Sequence, residues 1–216
     1  MIRALCLAVS YLLGAIPFGL LVGKLTKGID IRQFGSGNIG ASNVLRTLGP
    51  GPALLVFVLD TAKGFAAVEI CRRLGLGEWW IVAGGLLSVF GHTFSVFLGF
   101  KGGKGVATAL GVIIGLSPVI AAVGFGIWVV LVAMTRYISV ASITAAVSVP
   151  VQMALWRSME TPGPYLALAC VAAAAIVVKH IPNIRRLAKG TEPRFGQKVN
   201  VGAQGAASKG GENRHG

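Results

Sequence analysis

Three long apolar runs, residues 4–23, 51–70 and 79–98, constrain this chain more than any other feature. Each approaches the ~20 residues that a helix needs to cross the hydrocarbon core of a bilayer. Composition agrees: 54% of the chain is hydrophobic and only 12% is charged, whereas an ordinary soluble domain carries about 25% charged residues. The reading is an all-α integral membrane protein. The run that follows Arg3 exceeds the apolar core of a signal peptide and reads as an uncleaved first span.

Punctuation divides the rest. Pro50-Gly51-Pro52 precedes the second run, Trp79-Trp80 anchors the third at an interface, and K-G-G-K-G at 101–105 ends it. Further runs occupy 118–134, 138–156 and 165–178. The stretch 106–134 is one span, or two broken at Ser117-Pro118, where proline removes a helical hydrogen bond. The positive-inside rule favours two. With seven spans and the N-terminus outside, fifteen Lys and Arg lie inside against four outside; with one span fewer the tail moves out and seven remain inside. The expectation is about seven transmembrane helices, some short or broken, in a domain covering 1–195, with Gly-rich loops on the cytoplasmic side. Residues 196–216, rich in Gly, Ala and Lys, read as a disordered basic tail. The net charge of +13 then reports topology and attraction to anionic lipid rather than nucleic-acid binding. Cys6, Cys71 and Cys170 are scattered without metal-ligand spacing, and neither a metal, a cofactor nor an obligate protein partner is expected.

The richest polar segment is Phe34–Arg46, F-G-S-G-N-I-G-A-S-N-V-L-R. It contains G-x-G-x-x-G, but the dinucleotide fingerprint needs a strand before it and a βαβ unit around it, so that reading is rejected. What remains is a loop whose glycines admit close backbone approach, with Ser and Asn as neutral partners and Arg46 as a planar cation suited to phosphate. The second is Gly99–Thr108, G-F-K-G-G-K-G-V-A-T. It is not a Walker loop, because Gly105 follows Lys104 where Ser or Thr is needed. It reads as a second phosphate cradle, with lysine as a point charge. In the seven-span topology both loops, the Arg136–Ser142 turn and the start of the tail face the cytoplasm and can converge on one site. Elsewhere, Asp60 and Lys63 stand at i and i+3 within a span and read as an ion pair. His92 at membrane depth reads equally as a functional group or as one bonded to a neighbouring helix. Lys179–Leu187, K-H-I-P-N-I-R-R-L, ends the last run, and His180 and Asn183 there exceed what a basic stop-transfer end requires.

Together these segments resemble the bacterial acyl-phosphate:glycerol-3-phosphate acyltransferases of the PlsY type. The matches are G-S-G-N-I-G-A-S-N-V-L-R-T-L-G at 35–49, G-H-T-F-S-V-F-L-G-F-K-G-G-K-G-V-A-T at 91–108 and K-H-I-P-N-I-R-R-L-A-K-G-T-E at 179–192, with I-P-F-G at 16–19 and R-Y-I-S-V-A-S-I at 136–143. Ser42 stands where the family usually has Thr, and Lys179 where it has Arg. The resemblance implies transfer of an acyl chain from acyl phosphate to the sn-1 hydroxyl of glycerol 3-phosphate, giving lysophosphatidic acid and phosphate, the first acylation of phospholipid synthesis. It implies a catalytic set of Ser36, Arg46, Lys104, His180 and Asn183. It implies substrate binding by Gly35, Gly37, Asn38, Asn43, Gly102, Gly103, Gly105, Thr108, Ser139 and Ser142. The proton acceptor is left open between His180 and the substrate's phosphate. The implied place is the bacterial inner membrane, with membrane lipid as surroundings. An anion transporter is the rival reading, but it expects polar groups at the bilayer midplane and an internal repeat, and neither is visible. The H-x-x-x-x-D of soluble-type glycerolipid acyltransferases is absent: Phe97 and Arg185 stand at the aspartate position after His92 and His180.

Overall fold

A computed structural model of the chain describes residues 1–155 and 163–198. Arg157, in the expected external loop, and most of the tail at 196–216 lie outside the described residues. Ten α-helices and no strand occur among the described residues: α1 Ile2–Ala15, α2 Phe18–Lys27, α3 Ala41–Leu48, α4 Pro50–Arg73, α5 Glu78–Thr93, α6 Val106–Leu116, α7 Pro118–Thr135, α8 Ile138–Leu155, α9 Gly163–Lys179 and α10 Ile181–Ala188. Each apolar run is mainly helical among the described residues, the first broken at Ile16-Pro17 between α1 and α2. Among the described residues Ile2–Lys27, Glu78–Leu98, Pro118–Thr135 and Ile138–Leu155 are each long and apolar enough to cross a membrane, and the pair α9 and α10, bent by 51°, brings the count to five only when taken as one span. The 106–134 stretch is two helices. Ser117 is extended and Pro118 opens α7, where a missing N–H costs nothing.

The chain forms two compact units, one of residues 1–16 and 60–195, the other of residues 17–59 with the described residues 196–198. In the larger unit α5 is the inner helix. Its apolar window is 61% buried, against 17% for α7 and 22% for α8, whose Val and Phe side chains remain exposed as lipid-facing surface. Helices come close where side chains vanish. A methyl on Gly14 or Gly91 would strike the facing backbone of α5 or α1, and one on Gly64 or Gly111 the facing backbone of α6 or α4. Small residues at such crossings replace the hydrophobic drive that lipid cannot supply. The core beside them gathers Cys6, Val68, Val89, Val112, Met153 and Leu168.

The smaller unit is built from α2, a short 3-10 turn at Ile31–Gln33, α3 and the start of α4, residues 50–59. Gly28, left-handed at φ 67°, stops α2. Asp30 then starts the turn, its carboxylate accepting both the backbone N–H of Arg32 at 3.0 Å and that residue's guanidinium at 2.6 Å. Gly19 of α2 abuts the carbonyl of Ile39, which sets this helix against the polar loop.

Candidate functional site

In the smaller unit one buried amide organises the whole loop before α3. Asn43, 1% exposed, accepts the Ser36 N–H through Oδ1 at 2.9 Å. Its Nδ2 donates to the carbonyls of Ile31, Phe34 and Asn38 at 3.1, 3.0 and 2.9 Å. Gly35 and Gly37 are left-handed at φ 62° and 68°, a conformation that glycine adopts without steric cost. The Asn38 side chain closes a turn by accepting the Gly40 N–H at 2.9 Å. Ser36 is thereby held at the exposed tip. Arg46, one turn beyond Asn43, is 8% exposed. The expected residues Gly35, Ser36, Gly37, Asn38 and Asn43 thus form one folded loop, with Arg46 on the helix that follows.

In the larger unit the second Gly-rich loop folds back on the end of α5. The N–H groups of Gly102 and Gly103 donate to the carbonyls of Thr93 and His92 at 3.1 and 3.0 Å. Gly105, at φ 80°, starts α6, so Lys104 stands at that helix's N-terminus, where unpaired N–H groups and the helix dipole favour anions. Lys104 is half-buried and Lys101 exposed. The Lys104 ammonium donates to Asn183 Oδ1 at 2.5 Å, and Asn183 Nδ2 donates to Glu192 Oε1 at 2.7 Å. Arg186 closes the chain through Glu192 Oε2 at 2.8 Å. Burial alone would raise the Glu192 carboxyl, but Asn183, Ser139 and Arg186 together hold it below its usual range. Ser139 contributes to that charge stabilisation although its hydroxyl has no partner at full hydrogen-bond geometry.

His180 sits at the bend between α9 and α10 and is 3% exposed. Its Nδ1 lies 2.8 Å from the Ile176 carbonyl, which can only accept, so Nδ1 carries the proton and Nε2 keeps a lone pair. Burial, and then the charge of Lys104, push its pKa down to about 4. Ser142, also buried, accepts the indole N–H of Trp128 at 3.2 Å. Thr108 is fully buried, with its backbone carbonyl against Gly64 of α4. The structure therefore joins Lys104 to Asn183, Glu192 and Ser139, brings the charge of Lys104 to bear on His180, and pins Ser142 separately.

Sequence reasoning missed Glu192, Arg186 and Trp128. A signal for the first was available, because Glu192 is the only acid between Lys179 and Lys198. The expected Asp60–Lys63 pair is present at 2.8 Å, and Lys63 also bonds His92 Nδ1 at 2.9 Å and the Ile16 carbonyl at 2.9 Å. No group of three or more His, Cys, Asp or Glu with metal-binding geometry occurs among the described residues.

A glycerol-3-phosphate acyltransferase family model matches residues 4–190. Among curated relatives, the glycerol-3-phosphate acyltransferase of Synechococcus sp. (strain JA-2-3B'a(2-13)) is 50% identical over 88% of this chain and 92% of its own length. That of Geotalea daltonii is 50% identical over 86% and 94%. Among solved structures, the crystal structure of the integral membrane glycerol 3-phosphate acyltransferase PlsY in its glycerol 3-phosphate form superposes with a TM-score of 0.85 at 44% identity, covering 91% of this chain and 96% of that one. Its lysophosphatidic acid form gives 0.83 at 43% identity, covering 91% and 97%.

Proposed function

The chain belongs to the glycerol-3-phosphate acyltransferase family, and on that premise we propose that this integral membrane acyltransferase uses acyl phosphate as donor and acylates the sn-1 hydroxyl of glycerol 3-phosphate. The hydroxyl oxygen attacks the acyl carbonyl carbon, the bond from that carbon to the phosphate oxygen breaks, and the products are lysophosphatidic acid and inorganic phosphate. Phosphate is already a good leaving group, so positioning and electrostatic stabilisation carry the reaction without a covalent acyl-enzyme. The observation behind this reading is Lys104. It is a half-buried cation aimed by Asn183, set among four glycines at a helix N-terminus, and it suits an anionic leaving group.

In this proposal Ser36, Arg46, Ser142 and His180 bind glycerol 3-phosphate, and Lys104 holds the donor's phosphate, the leaving group. Asn38, Asn183 and the backbone at Lys104 and Gly105 face the acyl phosphate and the developing oxyanion, while the N–H groups of Gly102 and Gly103 hold the turn through Thr93 and His92. Asn43 and Ser139 support the two sets, Asn43 through its loop and Ser139 through Glu192. His180 accepts the hydroxyl's proton at Nε2; the leaving phosphate is the alternative acceptor. The protein lies in the bacterial inner membrane with its N-terminus outside and its C-terminus and catalytic loops in the cytoplasm, in keeping with the fifteen-to-four distribution of Lys and Arg. Reporters fused after residue 195 and at Gly77 should read cytoplasmic and external respectively, and the reverse would overturn the orientation. The donor is tested with purified protein in lipid, given glycerol 3-phosphate and either acyl phosphate, acyl-CoA or acyl carrier protein. Lysophosphatidic acid should form only with acyl phosphate. Equal turnover with a thioester would remove the donor assignment.

A further inference from the structure

The two central glycines of the second loop are not there for backbone freedom. Gly99 and Gly105 have positive φ, but Gly102 and Gly103 do not, and their backbone suits any residue. Close approach excludes side chains instead. A methyl on Gly102 would run into the carbonyl of His92, and one on Gly103 into Nε2 of the His92 ring. The ring is therefore the floor of the turn that precedes Lys104.

That floor is held rigidly from beneath. His92 is 4% exposed, Lys63 3% and Asp60 2%. The Lys63 ammonium donates to His92 Nδ1 at 2.9 Å and to the Ile16 carbonyl at 2.9 Å and forms an ion pair with Asp60 Oδ1 at 2.8 Å, while Asp60 Oδ1 lies 3.5 Å from His92 Nδ1. An ammonium donating to Nδ1 leaves the ring proton on Nε2, the atom that meets Gly103. A simple structural pair would need only Asp60 and Lys63, since their charges already cancel. The third member reaches from α5 to the loop.

We propose that Asp60, Lys63 and His92 form a buried positioning post, whose His92 ring sets the Gly102–Gly103 turn and so aims Lys104 and the adjoining backbone N–H groups at the donor's phosphate. These three are positioning residues and touch no reacting atom. The inference rests on the reading that this loop seats acyl phosphate.

A double-mutant cycle between His92→Asn and Gly103→Ala tests it. Asparagine keeps an acceptor for Lys63 near the Nδ1 position but does not reach the loop. Gly103→Ala alone should lower kcat/KM for acyl phosphate at least 100-fold. In the His92→Asn background the same change should cost less than 10-fold, because the methyl then has room. His92→Asn alone should raise the KM for acyl phosphate about 10-fold, with the KM for glycerol 3-phosphate within threefold of wild type and the melting temperature little changed. Equal cost of Gly103→Ala in both backgrounds would overturn the proposal, as would an equal rise in both KM values. Should His92→Asn yield no folded protein, the cycle is run with His92→Ala, for which the same suppression is required. If wild-type protein turns over a thioester and not acyl phosphate, the donor reading fails, while the cycle measured with that thioester still decides whether residue 92 positions the loop.

Discussion

The two glycine-rich loops look alike in sequence and are held by opposite means. The loop before α3 is organised from within. Its glycines take left-handed conformations, and the single Asn43 amide ties four backbone groups together. The loop before α6 is organised from below, where two of its glycines clear a path to the floor formed by His92, over Lys63 and Asp60. A self-folded loop can present an exposed residue such as Ser36 with little help from its surroundings. A loop laid on a buried ion network takes its geometry from helices α4 and α5. Glycine content alone therefore does not say which residues govern such a loop.

The sharpest way to break this comparison is Asn43→Asp. The substitution sets a carboxylate oxygen against three backbone carbonyls that now receive N–H bonds. Leaving such groups unsatisfied costs about 1–3 kcal/mol each, so the loop should unfold locally. Acyltransferase activity should fall more than 100-fold, with faster amide hydrogen exchange confined to residues 31–47. Unchanged exchange there would mean that the loop does not depend on its amide hub.

A smaller effect separates charge from geometry in both loops. Arg46→Lys keeps the charge and loses the planar fork; with a charge-assisted bond worth roughly 1.5–3 kcal/mol, its kcat/KM for glycerol 3-phosphate should fall by about one to two decades. Lys104→Ala should cost at least as much, whereas Lys101→Ala, at an exposed position, should stay near wild type. Equal losses in the two lysine variants, with Arg46→Lys unaffected, would reduce all three residues to topological signals.

The smallest effect is the pH response of His180. Its pKa is depressed to about 4, so the neutral ring is complete above about pH 5 and is lost only as pH falls through 4. Between the ordinary value near 6.5 and 4, the unfolded chain binds a proton that the folded chain does not, and stability should decline as pH drops through that window. Between pH 5.5 and 8 the ring itself should change kcat/KM by only about 3%, because a group of pKa about 4 is almost wholly neutral across that range. An acid limb near pH 6 belongs instead to the substrate phosphate, whose second pKa is about 6, and it should persist in His180→Asn. Disappearance of that limb in the variant would assign it to the histidine and contradict the burial seen here.

Much of this protein was legible one residue at a time. Long apolar runs dictate helices because lipid offers the backbone no other partner, and Ser117-Pro118 marks a break because proline cannot continue a helix. The G-S-G-N, K-G-G-K-G and K-H-I-P-N segments stand out because their polarity is unexplained by membrane crossing. The i, i+3 spacing was enough to pair Asp60 with Lys63. What the sequence leaves undetermined is partnership across long separations. Asn183 and Glu192 are nine residues apart, yet Lys104 joins them from 79 residues away. Trp128 looks like any lipid-facing aromatic until it is found bonded to Ser142. His92 is ambiguous by itself and acquires meaning only when α4 brings Lys63 to one ring nitrogen and the loop brings Gly103 to the other. Local chemistry follows from residue type and spacing, which the chain carries in its order. Which buried donor meets which acceptor depends on how the helices pack, and only the tertiary structure decides that.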